Sequence, residues 1–492
     1  MKKTRLLALL LALVMVVALF AACGNTEPEQ TTEATTEATT EATTEATTEA
    51  TTEATTEATT EATEPVDEKL DLGGRTFVIT DNASNTMQIY PKDEFQSAYY
   101  DAWRDLWAEI EAEYNFVLEV GPGLNLEAVT TLVTSGDVDA IGDILVTKPD
   151  TWVTYAVQDW IAALDSEECQ ANGLFIDDPN AFYQDFTQAM SLYGNVYAAQ
   201  WVGDYNGASF GWCIYYNIDY VSQYAGIDSL YQVVRDMDWT WEKFLDVQEK
   251  CAQDTDGDGV IDIWGSGEHA YGNEMYCIPG GDIVVYDEAS GLYKSGITTP
   301  AAQEALQFAQ DQYNSGFNET THGYGDIHRM FKIGEVNMVW GEKWNTSADD
   351  MLVNVEVNMG VAPLPKHETA ETYANILGGV PGATLFKTNS NFAQNCAMLQ
   401  ILGESFTNQD WTGSYCDEEL QGNEESLEMV LNYIWGEHAT TYLDLGWGHT
   451  DLLLNYFRSE IFFPVVGGSS VAEIVTAQDA IFQANIDEVF QQ

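Results

Sequence analysis

The densest run of chemistry-bearing side chains is Asp254-Thr255-Asp256-Gly257-Asp258-Gly259-Val260-Ile261-Asp262. Carboxylates at loop positions 1, 3, 5 and 9, a glycine at 6 and a main-chain carbonyl at 7 supply the hard oxygens that calcium takes. Asp254, Asp256, Asp258, Val260 and Asp262 are therefore the candidate metal ligands, and Ca2+ would be structural; no cofactor is required for function. Position 12 is Gly265 rather than Glu, so the site is weaker or borrows a carboxylate such as Glu268. A metal-free acidic turn is the competing reading. A second pattern, Gly207-Ala208-Ser209-Phe210-Gly211, matches the serine-hydrolase GxSxG. That elbow needs a strand before it and a helix after it, whereas a strand-like run, Trp212 to Asn217, follows here. No GKS or GKT phosphate loop, third-glycine dinucleotide motif or HExxH occurs, and carboxylates are too numerous for one glycosidase pair to stand out. The chain reads as a non-enzyme.

Aromatic side chains point elsewhere. The chain holds 14 Trp, 25 Tyr and 20 Phe, and flat C–H faces of sugar rings pack on such rings while carboxylates and amides bind the hydroxyls. Trp201, Trp340, Trp344 and Trp447 sit beside glycine and polar residues rather than in apolar stripes, which marks them as candidate ligand contacts against the alternative that they fill the core.

The elements that must position these groups begin as alternating strand and helix. Arg75 to Thr80 reads as a strand, and Trp103, Leu106, Trp107, Ile110 and Tyr114 recur on one helical face. Phe116 to Val120 is a second strand, Leu126 to Thr134 a helix and Ile141 to Val146 a third strand. Repeated βαβ units imply a parallel sheet covered by helices, with ligands beyond the carboxyl ends of the strands. That rule brings Asp81 and Asn82, and Thr147 and Lys148, near a cleft, although turn or capping roles would also explain them. A second body begins near Gly207. Its helices include one starting at Trp241 and one with Thr299 as N-cap and Pro300 at the first helical position.

Ahead of this head lies an address and a tether. Lys2, Lys3 and Arg5 precede an apolar run from Leu6 to Phe20, too short to span a membrane and read as a signal peptide. The run ends in Leu19-Phe20-Ala21-Ala22-Cys23, which resembles a bacterial lipoprotein cleavage site with Cys23 as the lipidated residue. Eight copies of Thr-Thr-Glu-Ala fill Thr31 to Ala62. In a helix this repeat would set Glu over Glu at every i, i+4 step among weakly helical Thr, so a solvated coil is expected, spanning on the order of 35 Å. The head is thereby held at the outer face of the cell membrane. The net charge of -61, from 18 Lys plus Arg against 79 Asp plus Glu, excludes nucleic acid as a partner and disfavours anionic ligands. The six head cysteines, Cys169, Cys213, Cys251, Cys277, Cys396 and Cys416, read as buried thiols, because a head this large needs no disulfide staples.

Several segments, in order, resemble one family. Tyr193 to Ala198 (YGNVYA), Tyr215 to Tyr220 (YYNIDY), Trp239 to Gly265 (WTWEKFLDVQEKC into DTDGDGVIDIWG), Phe331 to Trp344 (FKIGEVNMVWGEKW), Gly360 to Lys366 (GVAPLPK) and Ile376 to Thr384 (ILGGVPGAT) are similar to the carbohydrate-type extracellular solute-binding proteins of bacterial ABC importers, the broad family that includes maltose-binding protein. The match runs from about Leu70 to Phe406. Ala198 and Ala199 depart from the family's GLP, and Glu335 and Asn337 from its GKxAM. The resemblance implies an α/β, two-lobed periplasmic-binding-protein-like fold of type II, its lobes joined by a hinge with several chain crossovers. It implies a signal peptide over 1–22, a lipidated linker over 23–65, lobe 1 over 66–205 and 346–405, and lobe 2 over 206–345 and 406–492. It implies hinges near Trp201 to Asn206, Val339 to Asn345 and Leu402 to Thr407, and ligand-facing roles for Trp201, Asp204, Glu342, Trp344, Gly378 and Gly379; Trp447 is added for its flanking glycines. The implied function is capture of a carbohydrate by a monomeric, lipid-anchored receptor of a Gram-positive cell for delivery to an ABC permease. A cell-surface carbohydrate hydrolase and a ligand sensor on the same fold are the alternatives.

Overall fold

The computed structural model describes residues 70–81, 90, 98–201, 211–268, 272–346, 351–407 and 411–491. Cys23, the signal and repeat segments, Asn82, Asp204 and Ser209 lie outside the described residues. Two separate sheets organise the head.

Arg75–Asp81 (β1) runs parallel to Phe116–Val120 (β2) on one side and to Ile144–Thr147 (β3) on the other. Between them, the helices Ala98–Tyr114 (α1) and Leu126–Ser135 (α2) make the crossovers, and Pro149–Val157 (α3) follows β3. The apolar face anticipated for α1 is the face it buries: Trp103, Trp107 and Ile110 are all within 2 % of full burial. Burying three such side chains contributes roughly 2 kcal/mol or more each. The third strand begins later than its hydrophobic run, because Val138–Ile141 is a 3-10 turn and Gly142 takes a φ of 113°. Asp143 then turns toward Arg75, whose Nη1 donates to both its oxygens at 2.9 and 2.8 Å, while Val78 N donates to Oδ2 at 2.9 Å. An ion pair 68 residues apart in sequence thus sets where β3 starts.

The second sheet contains Trp212–Asn217 (β4), Trp264–Gly267 (β5), Asn318–Glu319 (β6), Val336–Glu342 (β7) and Met359–Pro363 (β8), in the order β6-β5-β7-β4-β8. β5, β6 and β7 are parallel, and β4 is antiparallel to both β7 and β8. Trp241–Cys251 (α4) packs on it, capped by Thr240, and Pro300–Tyr313 (α5) is capped by Thr299, whose Oγ1 accepts from Ala302 N at 3.1 Å. Trp241 of α4 stacks on Phe308 of α5 at 4.3 Å. Tyr324–Lys332 (α6) leads into β7.

The chain then recrosses. Tyr373–Leu377 (β9) pairs in parallel with Ala439–Leu443 (β11), and Gly382–Thr384 (β10) joins the first sheet antiparallel to β3, giving the order β10-β3-β1-β2. Phe392–Phe406 (α7) packs with α1, and Val471–Phe490 (α8) ends the described chain. β8 corrects one expected boundary: the resemblance assigns it to the first lobe, but its register against β4, from Met359 opposite Asn217 to Pro363 opposite Cys213, puts it in the second sheet. The six head cysteines are all free and buried. Among the described residues no helix is long and apolar enough to cross a membrane.

Candidate functional site

The carboxyl ends of β1, β3 and β7 each deliver a polar group. Asp81 closes β1 and is buried, Thr147 closes β3, and Lys148 is the N-cap position of α3. At the end of β7, Glu342 is half-buried and its Oε2 accepts from Trp344 Nε1 at 2.6 Å. Its main-chain N donates to Asn345 Oδ1 at 2.6 Å, and Tyr324 OH donates to the same oxygen at 2.8 Å. Burial pushes the Glu342 carboxyl up, opposed by the Trp344 bond and the nearby Lys148 charge. The indole of Trp344 stacks on Tyr324 at 6.0 Å yet remains 46 % exposed, so one ring face is supported and part of the ring meets solvent.

Gly378 and Gly379 bridge this corner to Trp447. A side chain at Gly379 would meet Glu342 Oε1 at 3.5 Å, and one at Gly378 would lie 2.4 Å from Trp447 Nε1. The room at Gly378 is therefore filled by the indole, not left open for a ligand as expected. Trp447, half-buried, belongs to the 3-10 turn Leu445–Gly448, whose N-cap is Asp444. The turn packs against α3, where a Cβ on Gly448 would meet Val153 at 3.1 Å. Beside α3 opens a cavity of about 340 Å³ lined by Asn125, Asp150, Thr151, His449 and Asp451 among others. Asp150 is half-buried, and burial pushes its carboxyl up against the pull of Lys148.

Glu342, Trp344, Gly378, Gly379 and Trp447 are thus neighbours, with Asp81 at the same end of the first sheet. Two expected residues are not ring platforms. Trp340 is 2 % exposed and meets Phe244 edge-on at 6.1 Å, because along β7 its ring falls on the face covered by α4. Trp201 is 4 % exposed and stacks on Phe406 at 5.8 Å, in a cluster where Phe406 also meets Trp103 and Trp107. Sequence reasoning missed Tyr324, Asn345 and Asp444. Asp444 had a local signal, an Asx residue ahead of a glycine-flanked turn, whereas Tyr324 is brought in by packing alone.

The acidic loop stands apart from this site. Asp254 Oδ1 and Oδ2 accept from Gly257 N at 2.7 Å and Gly259 N at 2.8 Å, and Asp262 Oδ2 accepts from Thr255 N at 2.7 Å. Carboxylate oxygens of Asp254, Asp256 and Asp262 lie within 4.8 Å of one another, which fits a hard cation. Asp258 instead accepts from Val260 N at 2.8 Å. Glu268 does not serve this loop: it is 3 % exposed beyond β5, where it faces Glu274.

No protein-family model matches the chain, and a search of curated proteins finds no match. Solved structures do match. An ABC substrate-binding protein from Listeria monocytogenes in complex with cycloalternan aligns over 85 % of this chain and 99 % of its own, at 16 % identity and a TM-score of 0.55. A cyclic alpha-maltosyl-1,6-maltose binding protein from Arthrobacter globiformis aligns over 85 % and 100 %, at 18 % identity and 0.57. UgpB from Mycobacterium tuberculosis in complex with glycerophosphocholine aligns over 85 % and 99 %, at 15 % identity and 0.57. The chain has the two-lobed α/β fold of these binding proteins.

Proposed function

We propose that this chain is an extracellular solute-binding protein, anchored through a lipid on Cys23, that captures a carbohydrate of oligosaccharide size and delivers it unchanged to an ABC permease. The observation that carries the reading is the corner at which Glu342, supported by Trp344, meets Gly379 while Trp447 lies against Gly378. A carboxylate for hydroxyls between two aromatic surfaces suits a neutral polyol. The fold supports capture by hinge closure, in which contacts made by both lobes favour the closed state. Two of the structural neighbours are described with cyclic glucans, which supports a sugar. The ligand of UgpB makes glycerophosphocholine the competitor to exclude. A thermal-shift screen with maltose, maltotriose, maltopentaose, cyclic glucans and glycerophosphocholine, followed by chromatography of the recovered ligand, tests it. One sugar should raise Tm and return intact; cleaved product would favour a hydrolase, and a shift with glycerophosphocholine alone would refute the sugar reading.

For the acidic loop we propose a structural Ca2+ held by Asp254, Asp256 and Asp262. Titration of chelator-treated protein should show one calcium site that Asp254→Asn with Asp256→Asn abolishes; no heat and no thermal shift would remove it.

A further inference from the structure

Trp447 is offered to the site by a turn of only four residues, Leu445–Gly448, and the side chain that closes this turn is Asp444. Its Oδ1 accepts twice, from Gly446 N at 2.9 Å and from Tyr276 OH at 2.5 Å, and its carbonyl accepts from Trp447 N at 3.0 Å. Tyr276 is remote in sequence, in the 3-10 turn Asn273–Tyr276, and it is 5 % exposed. Asp444 is 4 % exposed and follows β11, where its N donates to Leu377 O at 3.3 Å, next to Gly378. The turn is also tightly seated: a Cβ on Gly446 would come within 2.9 Å of Asp444 Oδ1 and 3.1 Å of Ile283. One carboxylate oxygen therefore joins the residue before the ring, the ring's own turn and a tyrosine of a different segment.

We propose that Asp444 is a positioning residue for ligand capture: held by Tyr276, it latches the 445–448 turn so that Trp447 stands against Gly378 beside Glu342. The proposal rests on the carbohydrate-binding reading of that corner. Ionisation strengthens the latch, since a hydrogen bond to a carboxylate is stronger than one to its neutral form. Burial pushes the Asp444 carboxyl up to about 6, against the bonds from Tyr276 and Gly446, with Asp282 adding in the same direction as burial. The titratable groups facing the latch are Tyr276, Asp282 and, through its ring contact with Tyr276 at 6.1 Å, Tyr442; Cys277 adjoins them. The basic group beside the turn is His449, its C-cap residue, and Asp444 is the carboxylate bonded directly to the turn.

The test compares wild type, Tyr276→Phe and Asp444→Asn in the mature chain by hydrogen exchange of the peptide covering 441–449 and by titration with maltopentaose, or with the panel sugar that gives the largest thermal shift. Tyr276→Phe should speed exchange at the turn and weaken binding roughly tenfold at pH 7.5, as expected for one lost charge-assisted bond. Asp444→Asn keeps both acceptor contacts without the charge, so its affinity should match that of wild type at pH 5 and rise less than wild type does up to pH 7.5, while wild type loses affinity below about pH 6. Unchanged exchange and affinity in Tyr276→Phe, or the wild-type pH profile persisting in Asp444→Asn, would overturn the proposal. A wild-type chain that binds no panel sugar would sink the functional reading instead, and the exchange measurement would then decide the latch alone.

Discussion

Replacing Glu274 by Gln should make the protein more stable at pH 8 and leave it nearly unchanged at pH 5. Glu268 and Glu274 are 3 % and 0 % exposed, and none of their four carboxylate oxygens has a hydrogen-bond donor. They face each other, with Gln312 beside Glu268. Burial pushes both carboxyls up, and the Glu274 charge pushes Glu268 further. Unfolded, both ionise near 4.5. The folded state therefore holds more protons than the unfolded state above that pH, so stability is greatest below it and declines as pH rises through the folded values. Raising Glu274 from 4.5 to about 7 makes its ionisation in the folded state cost about 3 kcal/mol once the pH passes 7. An amide at position 274 removes that cost and can donate to Glu268, so a gain of about 2 to 4 kcal/mol is expected at pH 8. Denaturant unfolding of wild type and Glu274→Gln at pH 5 and pH 8 reads it directly. Equal loss of stability at both pH values in the variant, or a pH slope identical to wild type, would refute the reasoning.

Trp344→Ala and Trp447→Ala should each weaken sugar binding by about ten- to a hundredfold with little change in Tm, read by calorimetric titration, because each removes a partly exposed ring face from the site. Trp340→Ala should instead destabilise by about 3 to 5 kcal/mol, measured by denaturant unfolding, since it empties a buried volume under α4. Asp143→Ala should cost about 3 kcal/mol or more, measured the same way, by leaving the Arg75 guanidinium and Val78 N without their shared carboxylate.

What was legible in the sequence was local. β2 and β4 form over the residues their patterns marked, and α5 begins at Thr299-Pro300 because a hydroxyl cap and a preset φ act within one turn. The start of β3 was not legible, because where the run Ile141 to Val146 becomes strand depends on the backbone at Gly142 and on Asp143 being drawn to a distant arginine. Nor was the membership of β8, since strand pairing is written in the partner rather than in the strand. The tryptophans show the same limit within one segment. Trp340 and Trp344 are four residues apart with similar neighbours, yet the first lies in a strand under a helix and the second in the turn beyond it. Resemblance marks Glu342, Gly378 and Gly379, and flanking glycines mark Trp447. The contacts that make them one corner, Tyr324 beneath Trp344 and Asp444 beneath Trp447, required the folded chain.

The central claim, that two bodies close over a sugar, is tested most directly by an inter-lobe distance. Val117 in the first sheet and Ile333 beside the second are 57 % and 54 % exposed, while the six head cysteines are buried, so spin labels on Val117→Cys and Ile333→Cys report the lobes selectively. Saturation with the cognate sugar should shift the distance distribution to a narrower one, and removing the sugar should restore the original. One distribution, the same with and without bound sugar, would contradict the account.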